Sequence, residues 1–438
     1  MVQQKNTLPR VVITGLGVVS PLGNDPKRLY ERLLQGESGI SRLESIPTES
    51  LPIACGAEAK DFTGKIDNYG PLEKALQRTI RKGSKVMCRE IEMGVAVAQL
   101  ALTDAGLTAE IRDPHRTGVI YGCDYIMTLP EEFAAGVQKC LNEDGEFQFD
   151  QWGAKGKPEV NPLWLLKYLP NMPASHIAIY NNLQGPNNSI TIREASAPAA
   201  IGEAFVTLQR GHADVILVGS TGSKVHPFRT MHACMQEELA ADRDDPAKMS
   251  RPFDADRDGS VLGEGAGAMI LETLEHAEAR GANILGEVCG YGSSAVAGSV
   301  VADFQHQAIL NVLRAACRDA PQVGHVHAHG LGTVSGDRQE AGAIAEFFEG
   351  ATAPPVVAAK GNFGNLGAGG GMVEVITSLL AMQAGELFPA PNYQTPDADC
   401  PVSLCVERGV SAGDSFVSVN ITPQGQAAGV RIAKLGAE

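Results

Sequence analysis

The chain has 438 residues, of which 44% are hydrophobic and 20% are charged, as in an ordinary globular protein. Its formal net charge of −15 makes it poorly suited to nucleic acid, because phosphate neutralisation needs a basic surface. No apolar run reaches the ~20 residues of a membrane span, and no signal peptide is visible. The nine Cys lack metal-binding spacing. We therefore expect a cytoplasmic protein with no membrane span and no metal site.

The first predicted elements alternate between strands and helices. A β-branched run at residues 11–14 predicts a buried strand that enters a glycine turn. Helical patterns follow at 26–34 and 93–105, and residues 117–121 predict another strand. Residues 124–170 are irregular and contain both Trp residues. We interpret this segment as a surface excursion and not as a separate domain.

Further along the chain the same alternation occurs twice. Additional strands are predicted at 189–192, 213–219, 266–272, 284–291, 324–332, 355–359 and 414–420. Additional helices are predicted at 195–208, 276–280, 337–348 and 372–384, with a glycine-rich turn at 361–371. The pattern favours an α/β protein with two halves, residues 10–272 and 284–435. It leaves open whether the halves are a true duplication, because any α/β protein can repeat such a pattern by chance.

Three places combine a reactive side chain with a glycine-lined turn. Glu194 follows a predicted strand and precedes a helix, where the helix dipole favours an anion, although an ordinary helix-capping role is equally consistent. His325, His327 and His329 alternate, so a strand would direct all three to one face. The loop at 360–371 matches neither common phosphate-binding pattern.

Several motifs together resemble the elongating β-ketoacyl-acyl-carrier-protein synthases of the thiolase superfamily. They occupy residues 11–24, 171–187, 213–221, 250–272, 328–333 and 360–364. The most specific is SRPFDADRDGSVLGEGAGAMILE at 250–272. The resemblance implies a thiolase-like duplicated αβαβα sandwich and a dimer, either a homodimer or a heterodimer with a Cys-containing synthase. It implies substrates carried on the phosphopantetheine of acyl carrier protein, with no further cofactor.

The resemblance also assigns site positions, several of which depart from the family pattern. The family uses a Cys nucleophile and two His residues, and these positions fall on Glu194, His329 and Asn365. Substrate-binding positions fall on Leu331, Thr333, Lys360 and Gln424. Among these, Leu331 replaces a usual Thr, and Gln424 lies in the loop that usually carries a gating Phe.

The carboxylate at position 194 changes the chemistry that we expect. A carboxylic acid has a pKa of ~4.3 and a thiol ~8.5, so a tetrahedral adduct on a thioester would expel the carboxylate in preference. An acyl-Glu anhydride would also hydrolyse readily. We therefore do not expect standard elongation by this chain acting alone.

Four functions fit these residues. The chain could be a non-condensing partner subunit similar to the chain-length factors of polyketide systems, with Glu194 structural. It could decarboxylate a malonyl carrier through His329 and Asn365, provided that burial keeps Glu194 protonated. It could catalyse another carbon–carbon bond or acyl-transfer reaction with Glu194 as general base. It could also be a catalytically inactive binding or regulatory homodimer.

A basic segment suggests how an acidic carrier protein would dock. Residues Arg78, Arg81, Lys82, Lys85 and Arg89 recur every three to four positions, so one continuous helix would place them on one face. The resemblance implies carrier docking at Arg78, Arg81, Lys82 and Lys85. The alternative is a solvated basic face with no partner.

Overall fold

The structure is a computed structural model that describes residues 8–437. Its strands are β1 Val11–Val19, β2 Ser41–Arg42, β3 Cys55–Gly56, β4 Thr117–Gly122, β5 Asn187–Ile190, β6 Val215–Ser223, β7 Glu264–Thr273, β8 Gly286–Ala295, β9 His325–His327, β10 Val356–Val357, β11 Ser415–Ile421 and β12 Gln426–Ala433. Its α-helices are α1 Pro26–Leu34, α2 Lys74–Gly83, α3 Arg89–Asp104, α4 Glu131–Gln138, α5 Met172–Asn181, α6 Ser196–Gln209, α7 Pro227–Gln236, α8 Leu274–Ala279, α9 Phe304–Ala316, α10 Val334–Phe347, α11 Lys360–Phe363 and α12 Gly370–Ala384.

The large sheet is built from two halves with the same connectivity. Its strand order is β10-β9-β11-β12-β8-β1-β7-β6-β4-β5. In one half β1–β7 and β7–β6 are antiparallel, and β6–β4 and β4–β5 are parallel. In the other half β8–β12 and β12–β11 are antiparallel, and β11–β9 and β9–β10 are parallel. An antiparallel pairing of β1 with β8 joins them. The fold is therefore duplicated, which the sequence pattern alone left open.

Helices cover and separate the two halves. Helices α6 and α12 contact strands of both halves and form the central layer. Helices α3 and α5 cover the first half, whereas α9, with α10 packed against it, covers the second. Small residues let the central layer approach closely, since a Cβ added at Gly202 would lie 2.2 Å from the ring of Tyr291. The arrangement is the thiolase-like αβαβα sandwich that the resemblance implies.

The strand predicted at residues 324–332 is much shorter in the structure. It ends at His327, because after Ala328, whose N–H donates to the carbonyl of Val357, buried carboxylates take the backbone N–H groups. Glu340 accepts hydrogen bonds from residues 329 and 330, and Asp337 accepts from residues 331 and 332. The chain therefore leaves the sheet just before His329.

The three histidines differ in their surroundings. His325 is buried, and its Nδ1 lies 2.8 Å from the carbonyl oxygen of Ala412. His327 is also buried, with Nδ1 2.7 Å from the hydroxyl of Ser378. Both are core residues with polar partners, and only His329 reaches the cavity described below.

The surface excursion is more ordered than its sequence indicates. It contains α4 and several short helical turns, held together by aromatic contacts. The ring of Phe133 lies 5.0 Å from that of Trp164 and 6.0 Å from that of Trp152. The strand predicted at 189–192 lies two residues earlier, at Asn187–Ile190. Within residues 8–437, no helix combines the length and the apolarity required to cross a membrane.

Candidate functional site

Glu194 is held at a tight connection between β5 and α6. The backbone of Arg193 is left-handed, with φ 51°, and a single 3₁₀ turn at Arg193–Ala195 leads into the helix. The hydroxyl of Ser196 accepts a hydrogen bond from the N–H of Ile192 and donates one to the carbonyl of Cys123. Glu194 is thereby fixed with only 2% of its surface exposed.

Four charged side chains form a cluster around this position, which we call the buried charge cluster: Arg193, Glu194, Lys224 and Glu237. The Lys224 ammonium lies 2.9 Å from a Glu194 oxygen and 2.7 Å from a Glu237 oxygen. The Arg193 guanidinium lies 2.7 Å from Glu237 and 3.4 Å from Glu194. Two positive and two negative groups thus balance one another, and Lys224 has no exposed side-chain surface.

The cluster determines the protonation state of Glu194. Burial by itself raises the pKa of this carboxyl, but Lys224 and Arg193 outweigh it and hold the pKa well below the ordinary value. Glu194 is therefore ionised at neutral pH. A carboxylate with so low a pKa is a weak general base, and the neutral form that a decarboxylase mechanism requires is not favoured.

The side-chain amide of Asn365 is hydrogen-bonded to Glu194. Its Nδ2 donates to a Glu194 oxygen at 3.2 Å, and its Oδ1 accepts from the N–H of Gly367 at 3.0 Å. The side chain is buried, with 1% of its surface exposed. The structure therefore places Asn365 against Glu194, where it supports the carboxylate.

His329 keeps a defined hydrogen-bonding role. Its Nδ1 lies 3.2 Å from the Lys360 ammonium and 3.3 Å from the amide nitrogen of Asn420. Both neighbours are donors, so Nδ1 is the acceptor and Nε2 carries the proton. Burial and the Lys360 charge lower the pKa of His329 well below its usual value, so the ring is neutral. It offers one N–H donor.

Lys360 lies behind His329. Its ammonium donates to the carbonyl oxygen of His329 at 2.7 Å and binds the buried carboxylate of Glu374. The same carboxylate accepts a 2.6 Å hydrogen bond from Asn420. The structure thus gives Lys360 a positioning role, fixing the ring of His329, whereas the resemblance assigns it to substrate binding.

A cavity of about 210 Å³ is lined by His329 and Glu237 among other residues. The predicted substrate residues Leu331 and Thr333 line it, but Lys360 does not. Gln424 is exposed and does not line it either, whereas the neighbouring residues 421–423 do. Glu194 is not among the lining residues, whereas Glu237, another member of the buried charge cluster, is.

The basic segment keeps four of its five residues at the surface. Arg78, Arg81, Lys82 and Lys85 are exposed on α2 and the 3₁₀ turn that follows it. Arg89 begins the next helix, where its guanidinium lies 2.6 Å from the buried Glu264. The prediction of a single helical face is therefore wrong for Arg89, because the helix breaks after Gly83.

The sequence indicated Glu194, His329 and Asn365 but missed the groups around them. Lys224 directly follows the buried strand β6, and Glu237 directly follows α7. Asn420 lies in β11 and Glu374 in α12. A charged residue at the end of a fully buried strand was the only signal available for Lys224.

Comparisons with known proteins identify the family and the fold. The 3-oxoacyl-[acyl-carrier-protein] synthase 2 of Synechocystis sp. is 30% identical over 427 residues, covering 94% of this chain and 97% of that protein. Two solved structures share the fold. The ishigamide ketosynthase/chain length factor matches with a TM-score of 0.81 and 24% identity, over 98% of this chain and 100% of the other.

The second structure is the type II polyketide acyl-carrier protein in complex with its ketosynthase, AntDE:AntF. It matches with a TM-score of 0.77 and 23% identity, over 98% of this chain and 100% of the other. The beta-ketoacyl synthase N-terminal domain matches residues 9–277, and the beta-ketoacyl synthase C-terminal domain matches residues 282–394. The chain therefore belongs to the beta-ketoacyl synthase family.

Proposed function

We propose that this chain is a non-condensing, chain-length-factor-like subunit that pairs with a Cys-bearing synthase in fatty-acid or polyketide biosynthesis. The observation that carries the proposal is the buried charge cluster at the position where the family resemblance places the nucleophile. Lys224 and Arg193 hold Glu194 as a carboxylate, and both also pair with Glu237, which lines the cavity. Such a group neither accepts an acyl chain durably nor acts as an effective base.

The same geometry weighs against the other chemistries. An ionised Glu194 would repel both a malonyl carboxylate and the enolate that decarboxylation produces. Asn365 already donates to Glu194, so His329 would stabilise an enolate without its partner. One oxyanion donor is worth about 3–4 kcal/mol, and losing it costs a large part of the rate.

An exposed apolar face supports pairing with a subunit of the same fold. The face comprises exposed residues of the excursion and of α7: Leu129, Val137, Leu141, Phe147, Phe149, Phe228, Met231 and Met235. Phe228 of α7 and Phe149 of the excursion line one surface depression, so the apolar surfaces of the two segments adjoin there. Exposed apolar patches of this kind mark protein interfaces. The outer edge of β5, with exposed Asn187 and Asn188, is also free for pairing within the described chain.

A carrier protein is the second proposed partner. The Synechocystis relative is a 3-oxoacyl-[acyl-carrier-protein] synthase, and one similar structure holds a carrier protein bound to its ketosynthase. Exposed Arg78, Arg81, Lys82 and Lys85 offer positive charge to such an acidic protein. Substrate would arrive on its phosphopantetheine arm, and we propose a cytoplasmic location.

Product formation tests the proposed function. The chain alone, incubated with acyl-carrier and malonyl-carrier proteins, is expected to give no ketoacyl product and no carbon dioxide above background. A Cys-bearing synthase run in parallel serves as the positive control. Carbon dioxide release that disappears in His329→Ala, without ketoacyl product, would instead establish decarboxylation. Ketoacyl product from the chain alone would refute the proposal.

A further inference from the structure

We infer that the cavity at His329 selects uncharged acyl thioesters and discriminates against thioesters that carry a carboxylate, such as malonyl. The inference rests on the proposed function in one respect only, namely that this cavity receives a carrier-bound thioester. It goes beyond that function by assigning the charge of the acyl group. Four observations carry it: the charge of the wall, the state of the nearby cations, the one open donor and the mouth of the cavity.

The cavity wall is acidic. Glu237, Glu238, Asp337 and Glu340 all line it, and no Lys or Arg occurs among the described residues that do so. The remaining polar lining consists of amides, hydroxyls and His329. An acyl carboxylate entering this space would meet acidic side chains and no Lys or Arg among the described residues of the wall.

The cations that contact lining residues are already neutralised. Arg257 lies 3.9 Å from the carboxylate of Asp337 and 2.5 Å from that of Asp397. Lys224 and Arg193 pair with Glu194 and Glu237 inside the buried charge cluster. Lys360 is 2% exposed and pairs with Glu374. Withdrawing either ammonium toward an acyl carboxylate would leave a buried carboxylate without its partner, which is costly.

The open donor suits a neutral carbonyl. The Nδ1 atom of His329 faces Lys360 and Asn420, so Nε2 is the ring atom available to a molecule in the cavity. His329 is 4% exposed and lines the cavity. A neutral N–H can polarise a thioester carbonyl but supplies no full positive charge.

The carboxyl groups of the cavity wall differ in how much negative charge they contribute. Asp337 and Glu340 are buried and accept backbone hydrogen bonds, and burial raises their pKa values to about 6 and about 8. Glu340 is therefore largely neutral at pH 7. Glu238, by contrast, is exposed at the mouth and has only the N–H of Val334 as partner, at 3.1 Å. Its charge is the least compensated of the four.

Equilibrium binding of one carrier protein loaded with two acyl groups tests the inference. The probes are acetyl-carrier and malonyl-carrier proteins in non-hydrolysable amide form, because both share the same docking surface and differ in one carboxylate. We expect the acetyl form to bind about tenfold more tightly at low salt, as for a like-charge contact partly screened by solvent. Glu238→Gln should reduce this ratio, and Glu349→Gln, an exposed acid outside the cavity, should leave it unchanged.

Every other pattern overturns the inference. Malonyl-carrier binding that equals or exceeds acetyl-carrier binding would show that the cavity does not reject carboxylates. Identical binding of both forms and of the unloaded carrier would show that the acyl group does not enter it. The outcome is independent of the product assay: a chain that condenses but still prefers acetyl would refute the proposed function and keep the charge selectivity.

Discussion

At the scale of single residues, the Glu194 carboxylate and the charges around it account for most of the site. Glu194 occupies the turn between β5 and α6, where a side chain is presented to the centre of the fold. The Lys224 side chain has no exposed surface, so its buried charge needs a negative counter-charge close by. Glu194 and Glu237 supply it. Glu194 is thus explained as a structural partner of a buried cation.

Removing that charge should destabilise the protein. In Glu194→Gln the Lys224 and Arg193 charges remain buried with one carboxylate instead of two, so the free energy of unfolding should fall by about 3–5 kcal/mol. Urea unfolding followed by circular dichroism measures the change. The matched control is Glu159→Gln, which breaks the exposed pair with Lys139 and should cost at most about 1 kcal/mol. Equal stability of Glu194→Gln and wild type would contradict the structural role.

His325 should give the protein a measurable sensitivity to acid. Burial lowers its pKa to about 4, while in the unfolded chain it titrates near 6.5. The unfolded state therefore binds a proton first as the pH falls, and stability decreases between about pH 6.5 and pH 4. From pH 7 to pH 5 this histidine should remove about 2 kcal/mol.

The comparison of wild type with His325→Gln isolates this contribution from the other titrating groups. The difference in unfolding free energy between the two proteins should shrink or reverse by that amount on going from pH 7 to pH 5. Parallel pH profiles for the two proteins would show that His325 titrates normally in the folded state.

At the scale of elements, the break between α2 and α3 divides the basic segment into two functions. Arg89 turns inward to Glu264 and anchors the start of α3. The other four basic residues stay at the surface. There they can attract an acidic partner through long-range electrostatics.

Charge reversal on α2 should therefore slow carrier binding. In the double variant Arg81→Glu, Lys82→Glu we expect the association rate to fall by about tenfold or more at low salt, with a weaker dependence on salt. Stopped-flow binding of a labelled carrier protein measures both. The control is the reversal of Arg314 and Arg318, which are exposed on the other half of the fold. Unchanged kinetics in the α2 variant, or equal losses in both, would place the docking site elsewhere.

The sequence predicted elements better than it predicted their contacts. Glycine turns and β-branched runs located the turns of Glu194 and Asn365, because such patterns are local. The early end of β9 was not predictable, because the carboxylates of Asp337 and Glu340 reach back from α10 to the loop. The Asn365–Glu194 hydrogen bond joins residues 171 positions apart, and no periodic pattern records such a contact.

At the scale of the whole molecule, duplication places equivalent turns at the centre of the fold. Glu194 lies in the 3₁₀ turn that leads into α6, and Asn365 lies just before the 3₁₀ turn that leads into α12. Both helices form the central layer, so the two side chains meet there. The same architecture leaves β5 at one end of the sheet, close in sequence to both the excursion and the site turn.

We therefore predict a dimer that uses the apolar face. Light scattering at micromolar concentration should give the mass of two chains, or of one chain with a synthase when the two are coexpressed. Phe149→Glu with Met235→Glu, two residues that are each 78% exposed, should dissociate it. Val300→Glu, at an 81% exposed position outside the face, is the control. A stable wild-type monomer, with no complex on coexpression, would contradict the prediction.

The most direct test of the non-condensing role is the intact mass of the chain after exposure to an acyl-carrier protein. We predict no added acyl mass on the wild-type chain under conditions that fully acylate a Cys-bearing synthase. Glu194→Cys should gain the adduct, since Lys224 and Arg193 would lower the pKa of the new thiol. A stoichiometric acyl adduct on the unmodified chain would contradict the account.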